Sequence, residues 1–219
     1  MIPLTIDPAL RGHVVLAAFQ AVGVEPAGKS AALEEALDSL AARIRNRYAS
    51  PAQAHDLFQP ARQLYRALGL DPTKNRPSSE ALLRRVITGR SLYRINRVVD
   101  TCNLAAMEIA LPIGLYDNEH VQWPVELRRG EEGEGYRGLG KDHVNVAGRY
   151  TLADREGPFG NPSSDSFRTR IRETTRDCTF VLFAPTIYPL PRLVEQLEQT
   201  AQRVTDLCGG EVREQSVVH

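Results

Sequence analysis

The sequence contains little of what builds disulfide frameworks or metal centres. Its three cysteines, Cys102, Cys178 and Cys208, are odd in number and far apart, and no C-x-x-C pair occurs. A disulfide framework requires paired cysteines, and a zinc site requires closely spaced Cys or His ligands. The five histidines show no H-x-x-x-H spacing. We therefore expect reduced thiols, no metal site and no cofactor.

Long apolar runs and net charge are also lacking. No stretch approaches the roughly 20 apolar residues that a membrane-spanning helix requires. The start, "MIPLTIDPAL", lacks the basic segment and apolar core of a secretory signal. These absences predict a cytoplasmic protein with no membrane contact. Because 27 basic and 27 acidic residues cancel, a chain-wide positive field that attracts nucleic acid is excluded, and any RNA site must be a local patch.

Apolar periodicity predicts one mixed α+β domain over residues 1–219. Apolar residues that recur every three or four positions predict helices, and alternating or continuous β-branched runs predict strands. The expected helices cover about 30–48, 60–72, 77–89, 95–111 and 189–208. The expected strands lie near the N-terminus and at 11–24, 125–129, 143–152 and 179–185. In this fold, helices flank a mostly antiparallel sheet.

The stretch "GEGYRGLGKD", residues 133–142, combines two nucleotide-binding spacings. Gly135, Gly140 and Lys141 fit G-x-x-x-x-G-K, and Gly133, Gly135 and Gly138 fit G-x-G-x-x-G. Both motifs require a helix whose N-terminal amides face the phosphates, whereas the residues that follow predict a strand. Asp142 also stands where a P-loop has Ser or Thr. We therefore expect a charged, mobile hairpin loop and no phosphate site.

Residues 76–117 carry a more specific pattern. The segment "INRVVDTCNLAAMEIALPIGLYD" resembles the I-N-x-V-V-D-x-x-N and E-x-G-Q-P-x-H-A-F-D motifs of the B3/4 domain, the tRNA-editing module of the phenylalanyl-tRNA synthetase beta subunit. The matching positions are Ile95, Asn96, Val98, Val99, Asp100, Asn103, Glu108, Pro112 and Asp117. The resemblance implies the fold of that module, with mostly antiparallel sheets in a β-sandwich-like arrangement flanked by helices.

A second segment extends the resemblance to residue 185. "LRRGEEGEGYRGL" is similar to the family's R-x-A-x-x-G-E-x-L element, and "GPFGNPSSDS" is similar to its G-V-M-G-G-x-x-S element. The matching positions here are Gly157, Gly160, Ser164, Phe183 and Pro185. The likeness is strongest over 76–185, without the other domains of the synthetase, so the chain resembles a free-standing copy of the module.

The resemblance implies an aminoacyl-ester substrate. In the synthetase, the module hydrolyses tyrosine wrongly attached to the phenylalanine tRNA, in a pocket between its two lobes. The implied function is hydrolysis of a mischarged aminoacyl-tRNA in trans, with tRNA or aminoacyl-tRNA as the partner. However, Gly114 stands where the family has His, and Thr179 or its neighbour stands where the family has Glu. The alternative is a non-catalytic module that binds tRNA, another RNA or an amino-acid-like ligand.

Candidate site residues follow from the resemblance and from side-chain chemistry. The catalytic candidates, which could position a water, are Asp117, Ser164 and Asp165. A pocket between "LPIGLYD" and "GNPSSDS" would contain the substrate-binding candidates Asn103, Pro112, Gly114, Tyr116, Gly160, Asn161, Ser163, Ser166 and Thr169. Guanidinium groups form strong phosphate contacts, and the candidates for RNA binding are Arg168, Arg170, Arg172 and Arg176.

Structural roles stay open for several of these residues. Asx side chains near a helix start often cap the backbone, which applies to Asp100 and Asn103. Asp117 follows an apolar run, where turns favour Asp for conformational reasons. The polar segment 161–176 is equally typical of a solvated loop beside a charged edge strand. No Ser has a placed His and Asp partner, so we do not expect a nucleophilic triad.

Overall fold

The computed structural model describes the backbone of residues 1–219 and the side chains of all of them except Lys141. The fold is mixed α+β, as the apolar periodicity predicts. Its helices are α1 (Ala31–Arg47), α2 (His55–Ala67), α3 (Ser78–Ile87), α4 (Arg97–Ile109) and α5 (Leu190–Cys208). Across the described residues, no helix is long and apolar enough to cross a membrane.

Side-chain capping sets where α4 begins. Asn96 Oδ1 accepts a hydrogen bond from the Val99 amide at 2.9 Å, which satisfies a group that the first helical turn leaves free. Asp100 Oδ1 accepts one at 3.1 Å from the amide of Ile95, the residue that precedes the cap. Asp100 therefore braces the helix start, which is the structural role left open above.

The second helix begins earlier than expected. The predicted start at Pro60 is wrong, since α2 begins at His55 and contains Pro60 in its interior. Proline favours the first helical position because it has no amide hydrogen to donate, and in the interior it removes a hydrogen bond. Here the burial of Phe58, Leu64 and Tyr65 offsets that loss.

Within the described residues, the strands form two large sheets and a hairpin. In spatial order, the four-stranded sheet contains β11 (Glu211–Val218), β2 (Val14–Val22), β10 (Cys178–Pro185) and β3 (Ile113–Asp117), all antiparallel. The five-stranded sheet contains β1 (Leu4–Ile6), β4 (Val125–Arg129), β7 (Tyr150–Asp154), β8 (Gly157–Asn161) and β9 (Ser164–Asp165). Its β1–β4 pair is parallel and its other pairs are antiparallel. The hairpin joins β5 (Gly135–Gly138) to β6 (Lys141–Asn145).

In the four-stranded sheet, β2, β10 and β3 are buried on both faces, whereas the edge strand β11 is partly exposed. Successive side chains of a strand point to opposite faces, so β10 presents Phe180 and Leu182 to α4 and α5 and presents Val181 and Phe183 to the five-stranded sheet and α2. Phe180 stacks on Phe19 of β2 with ring centroids 4.6 Å apart. The two sheets therefore face each other across an apolar core to which α2 contributes, and α4 and α5 cover the other face of the four-stranded sheet.

The strands differ from the expectations in several places. "HVNVAGRYTL" is not one strand, because the chain turns at Gly148, with φ of 68°, between β6 and β7. Residues 133–142 form the expected hairpin, but most of them belong to the paired strands β5 and β6 and not to a loop. β9 lies within the segment 161–176, which is expected to be a loop, and neither β8 nor β11 is expected. No helix follows the glycines at 133–140, so the context of a phosphate loop is missing.

Two glycines make room for Tyr116 between the sheets. A Cβ atom on Gly114 of β3 would collide with the Tyr116 hydroxyl, and one on Gly160 of β8 would lie 2.6 Å from the ring. Phe159 packs edge-on against the same ring, with centroids 5.0 Å apart. Both sheets therefore hold the ring, which covers the backbone at Gly114.

Replacing Gly114 with alanine should destabilise the fold. In Gly114→Ala, the added methyl must displace a ring that cannot move freely, and overpacking of this kind costs about 1–3 kcal/mol. The measurement is the free energy of unfolding from urea denaturation.

The double variant Gly114→Ala/Tyr116→Leu provides the control. Leucine leaves the space that the methyl needs, so the double variant should lose less stability than the two single changes together. If the two changes add to within about 0.5 kcal/mol, as independent sites do, Tyr116 does not occupy this space.

Candidate functional site

A cavity of about 330 Å³ opens between α3, α4, β3 and the segment around β9. It lies between the two segments from which a pocket is expected, "LPIGLYD" and "GNPSSDS". Its apolar walls come from β3 and α4, through Ile113, Leu115, Val99 and Ala106. Successive side chains of β3 point to opposite faces of the sheet. Those on one face line the cavity, and the intervening ones point into the core between the sheets.

Polar groups form the opposite side of the cavity. Asn161 Oδ1 accepts hydrogen bonds from the amides of Ser163 and Ser164 at 2.9 and 3.0 Å, which defines an Asx turn. The Ser163 hydroxyl lies 2.7 Å from the Tyr65 hydroxyl of α2. The Tyr136 hydroxyl of β5 donates to the Ser164 carbonyl at 2.6 Å. Tertiary contacts therefore hold this segment in place.

Asp165 is the chemically unusual group in the cavity wall. The residue as a whole is partly exposed, but its Oδ1 atom is buried and has no hydrogen-bond partner among the described residues. Burial raises the pKa of Asp165 to about 7, and the Tyr116 hydroxyl lowers it by a smaller amount. A carboxyl group with this pKa can take up or release a proton near neutral pH.

Three buried tyrosines surround Asp165. Burial is the largest cause that raises the pKa of Tyr65, Tyr116 and Tyr136, and the negative charge of Asp165 adds to it. The Tyr116 hydroxyl also lacks a hydrogen-bond partner of good geometry in the described part of the chain. It is nevertheless close enough to favour the ionised form of Asp165. The phenols stay neutral and keep their protons for donation.

Cys102 lines the cavity but is not an activated nucleophile. Burial raises the pKa of its thiol, and the charge of Asp165 raises it further. The thiolate is the reactive form of cysteine. All three cysteines are free and buried, which fits the expected reduced state.

The predicted binding residues divide between the cavity and the core behind it. Those that line the cavity are Asn103, Asn161 and Ser163, together with the catalytic candidates Ser164 and Asp165. Gly114, Tyr116 and Gly160 contact one another between the sheets. The Pro112 carbonyl accepts the Phe183 amide at 3.0 Å, at the start of β3. The structure therefore brings together five of the twelve predicted catalytic and substrate-binding residues.

Two further predicted binding residues stabilise the chain itself. The buried hydroxyls of Ser166 and Thr169 lie 2.9 Å apart. The Thr169 amide donates to Ser166 Oγ at 3.1 Å. Thr179, at the family's Glu position, donates to Asn118 Oδ1 at 2.6 Å and does not line the cavity.

Asp117 lies outside the cavity, in a cluster with Arg172. Its Oδ2 accepts hydrogen bonds from the Thr175 hydroxyl at 2.7 Å and from Arg172 at 3.2 Å. The same guanidinium donates to His120 Nδ1 at 3.1 Å. Asp117, Glu119 and His120 offer ligand atoms within 4.8 Å of one another, but the positive charge of Arg172 disfavours a cation there. The cluster ties the end of β3 to the segment before β10.

The four arginines predicted to meet RNA have different surroundings. Arg170 lines the cavity, and its guanidinium lies 3.4 Å from the centroid of the Phe167 ring. Arg168 pairs with a buried carboxylate on β7 through two contacts of 2.9 Å. Arg172 belongs to the Asp117 cluster, and Arg176 donates to nearby backbone carbonyls. Most of these guanidinium groups therefore already bond to other groups of the protein.

No pattern in the sequence indicates which groups lie near Asp165. Tyr65 on α2 and Tyr136 on β5 reach it only through tertiary packing, and no local spacing connects them. The sequence indicates the cavity wall only weakly, through the alternation of Ile113 and Leu115 with Gly114. That alternation predicts one face of a strand, but not what the face encloses.

Comparisons with known proteins give a family match and a structural match. A family model described as the B3/4 domain matches residues 60–187. No curated protein matches the chain. Among solved structures, the chain is similar to an N-terminal fragment of the phenylalanyl-tRNA synthetase beta subunit from Pyrococcus horikoshii, with 13% sequence identity and a TM-score of 0.45.

The extents of these matches differ. The structural match covers 98% of this chain and 53% of the other, so the chain spans about half the length of the solved chain that it matches. The family model covers more than half of this chain and contains the whole segment, 76–185, that carries the sequence resemblance. This chain therefore belongs to the B3/4 domain family.

Proposed function

We propose that this chain hydrolyses the ester bond of a mischarged aminoacyl-tRNA in trans. The observation that carries the proposal is the buried carboxylate of Asp165, with an unpartnered oxygen, in the wall of a cavity of about 330 Å³. An unpartnered buried carboxylate is costly for folding, and such groups concentrate at functional sites. The family resemblance supports an aminoacyl ester as the substrate.

The size and lining of the cavity suit an aminoacyl group. Small-molecule sites typically enclose about 300–1,000 Å³, so this cavity, at the lower limit, suits an amino acid better than a nucleotide. Ile113, Leu115 and Val99 would contact an apolar side chain. Asn103 and Asn161 offer amide groups that can bind the ester and the amine.

In the proposed reaction, ionised Asp165 accepts a proton from a water that attacks the ester carbonyl carbon. The bond between that carbon and the ribose oxygen then breaks, and the ribose oxygen leaves with the proton that Asp165 received. The products are the free amino acid and the uncharged tRNA. A neighbouring tRNA hydroxyl can help to position the water, and the nearby Tyr116 hydroxyl favours the ionised form of Asp165.

Gly114 favours a second function, in which the site binds without hydrolysis. The resemblance places His at this position, and here the Tyr116 ring fills the space beside the backbone. In a binding module, the ionised Asp165 would pair with the ammonium group of an amino-acid-like ligand. The two functions share the cavity and differ in whether the ester is cleaved.

The variant Asp165→Asn should lose hydrolysis. An amide cannot accept the proton of the attacking water, and a missing general base lowers the rate by about 100-fold or more. The assay is release of the amino acid from a panel of mischarged tRNAs. The matched control is Asp56→Asn, which changes a fully exposed carboxylate on α2 and should leave the rate unchanged. Equal rates for wild type and Asp165→Asn would contradict this role.

The rate of hydrolysis should depend on pH with a defined sign. The proposed base is the ionised form of Asp165, whose fraction grows as the pH rises through about 7. We therefore expect kcat/KM to rise about tenfold per pH unit below pH 7 and to level off above it. Initial rates between about pH 5 and pH 9 measure this profile. A profile that is already level at about pH 5 would require a base with an ordinary carboxyl pKa.

A further inference from the structure

An arginine-lined groove adjoins the cavity. The groove has a volume of about 570 Å³ and runs along α3. Its lining and that of the cavity share Ser78, Leu82, Asn103 and Ser163. Its basic residues are Arg76, Arg84, Arg85 and Arg90. We call this surface the arginine groove.

The arginine groove carries an excess of positive charge. Glu80 is buried beneath it and accepts hydrogen bonds from Arg62 at 2.7 Å and from Arg84 at 2.6 Å. Burial raises the pKa of Glu80, but these hydrogen bonds and charges lower it overall, so the carboxylate stays ionised. Arg85 and Arg90 form no salt bridge with any described residue. Their charges remain available to a ligand.

An exposed aromatic ring lies beside Arg85. Tyr93 is 67% exposed, and the Arg85 guanidinium lies 4.1 Å from its ring centroid. Single-stranded nucleic acids bind where basic groups follow the phosphates and bases stack on aromatic rings or guanidinium planes. A phosphorylated peptide needs the charges alone. The combination of Tyr93 with the arginines therefore favours a nucleic-acid strand.

We propose that the arginine groove binds the sugar-phosphate backbone of a single-stranded RNA end and leads its 3′-terminal residue to the cavity. This inference rests on the proposed function, since the RNA carries the ester. The ten residues of α3 extend about 15 Å at 1.5 Å per residue. A strand that runs along α3 over this length can contact more than one of the arginines.

The test is binding of a short, fluorescently labelled single-stranded RNA, measured by anisotropy at several salt concentrations. Each phosphate contact contributes about 0.7 to the slope of log K against log salt for a single strand. Arg85→Gln/Arg90→Gln should therefore flatten the slope by about 1.4 and weaken binding at low salt about tenfold or more. Tyr93→Ala should weaken binding about tenfold with an unchanged slope, because it removes stacking and no charge.

A matched control removes the same charge elsewhere. Arg43→Gln/Arg213→Gln changes exposed arginines on α1 and β11 and should leave the affinity and the slope unchanged. If both double variants weaken binding equally, the RNA responds to net charge and the groove proposal fails. It also fails if Arg85→Gln/Arg90→Gln binds as tightly as wild type, or if a duplex of the same length binds as tightly as the single strand.

An amino acid ethyl ester, which has no phosphate, separates the two proposals. Cleavage of this ester by wild type but not by Asp165→Asn supports the hydrolase independently of RNA. If that cleavage occurs while the groove variant binds RNA normally, the groove proposal falls and the hydrolase stands. If RNA binding depends on the groove and neither the ester nor a mischarged tRNA is cleaved, the groove stands and the proposed hydrolysis falls.

Discussion

The burial of β2, β10 and β3 on both faces of the four-stranded sheet is the constraint on which the rest of the structure depends. Because β3 alternates its side chains, Ile113 and Leu115 line the cavity while Gly114 and Tyr116 face the core between the sheets. One strand therefore builds both the cavity wall and the packing behind it. The Tyr116 ring, held by both sheets, brings its hydroxyl close to Asp165.

Asp165 connects this packing to chemistry. Burial raises its pKa to about 7, whereas an unfolded aspartate titrates near 3.9. The folded state therefore binds the proton more tightly, and the contribution of this group to stability falls as the pH rises from about 4 to 7. This loss of stability is the cost of keeping the carboxylate ionised in the folded state. The ionised carboxylate would pair with a ligand ammonium group or accept a proton from a reacting water. The arginine groove next to the cavity would bind the RNA end whose terminal residue enters the same site.

Local rules explain which parts of the fold the sequence predicts. Apolar spacing and the Asn96 cap define α4, whereas β11 forms by pairing with β2 from the other end of the chain, which local periodicity cannot show. The site divides in the same way. Asp165 and Asn161 stand in a polar segment that the sequence marks, but Tyr65 reaches them from α2 only after folding. Arg90 likewise joins its groove through the packing of α3, with no motif in the sequence.

The most direct test of the account is the pKa of Asp165 in the folded protein. Carbon NMR of labelled aspartate carboxyl groups would measure it, with the resonance assigned by its loss in Asp165→Asn. The account predicts a midpoint near 7, shifted downward when a cationic amino acid ester occupies the cavity. A midpoint near about 4, as in an exposed aspartate, would contradict the claim that Asp165 is a buried, functional carboxylate.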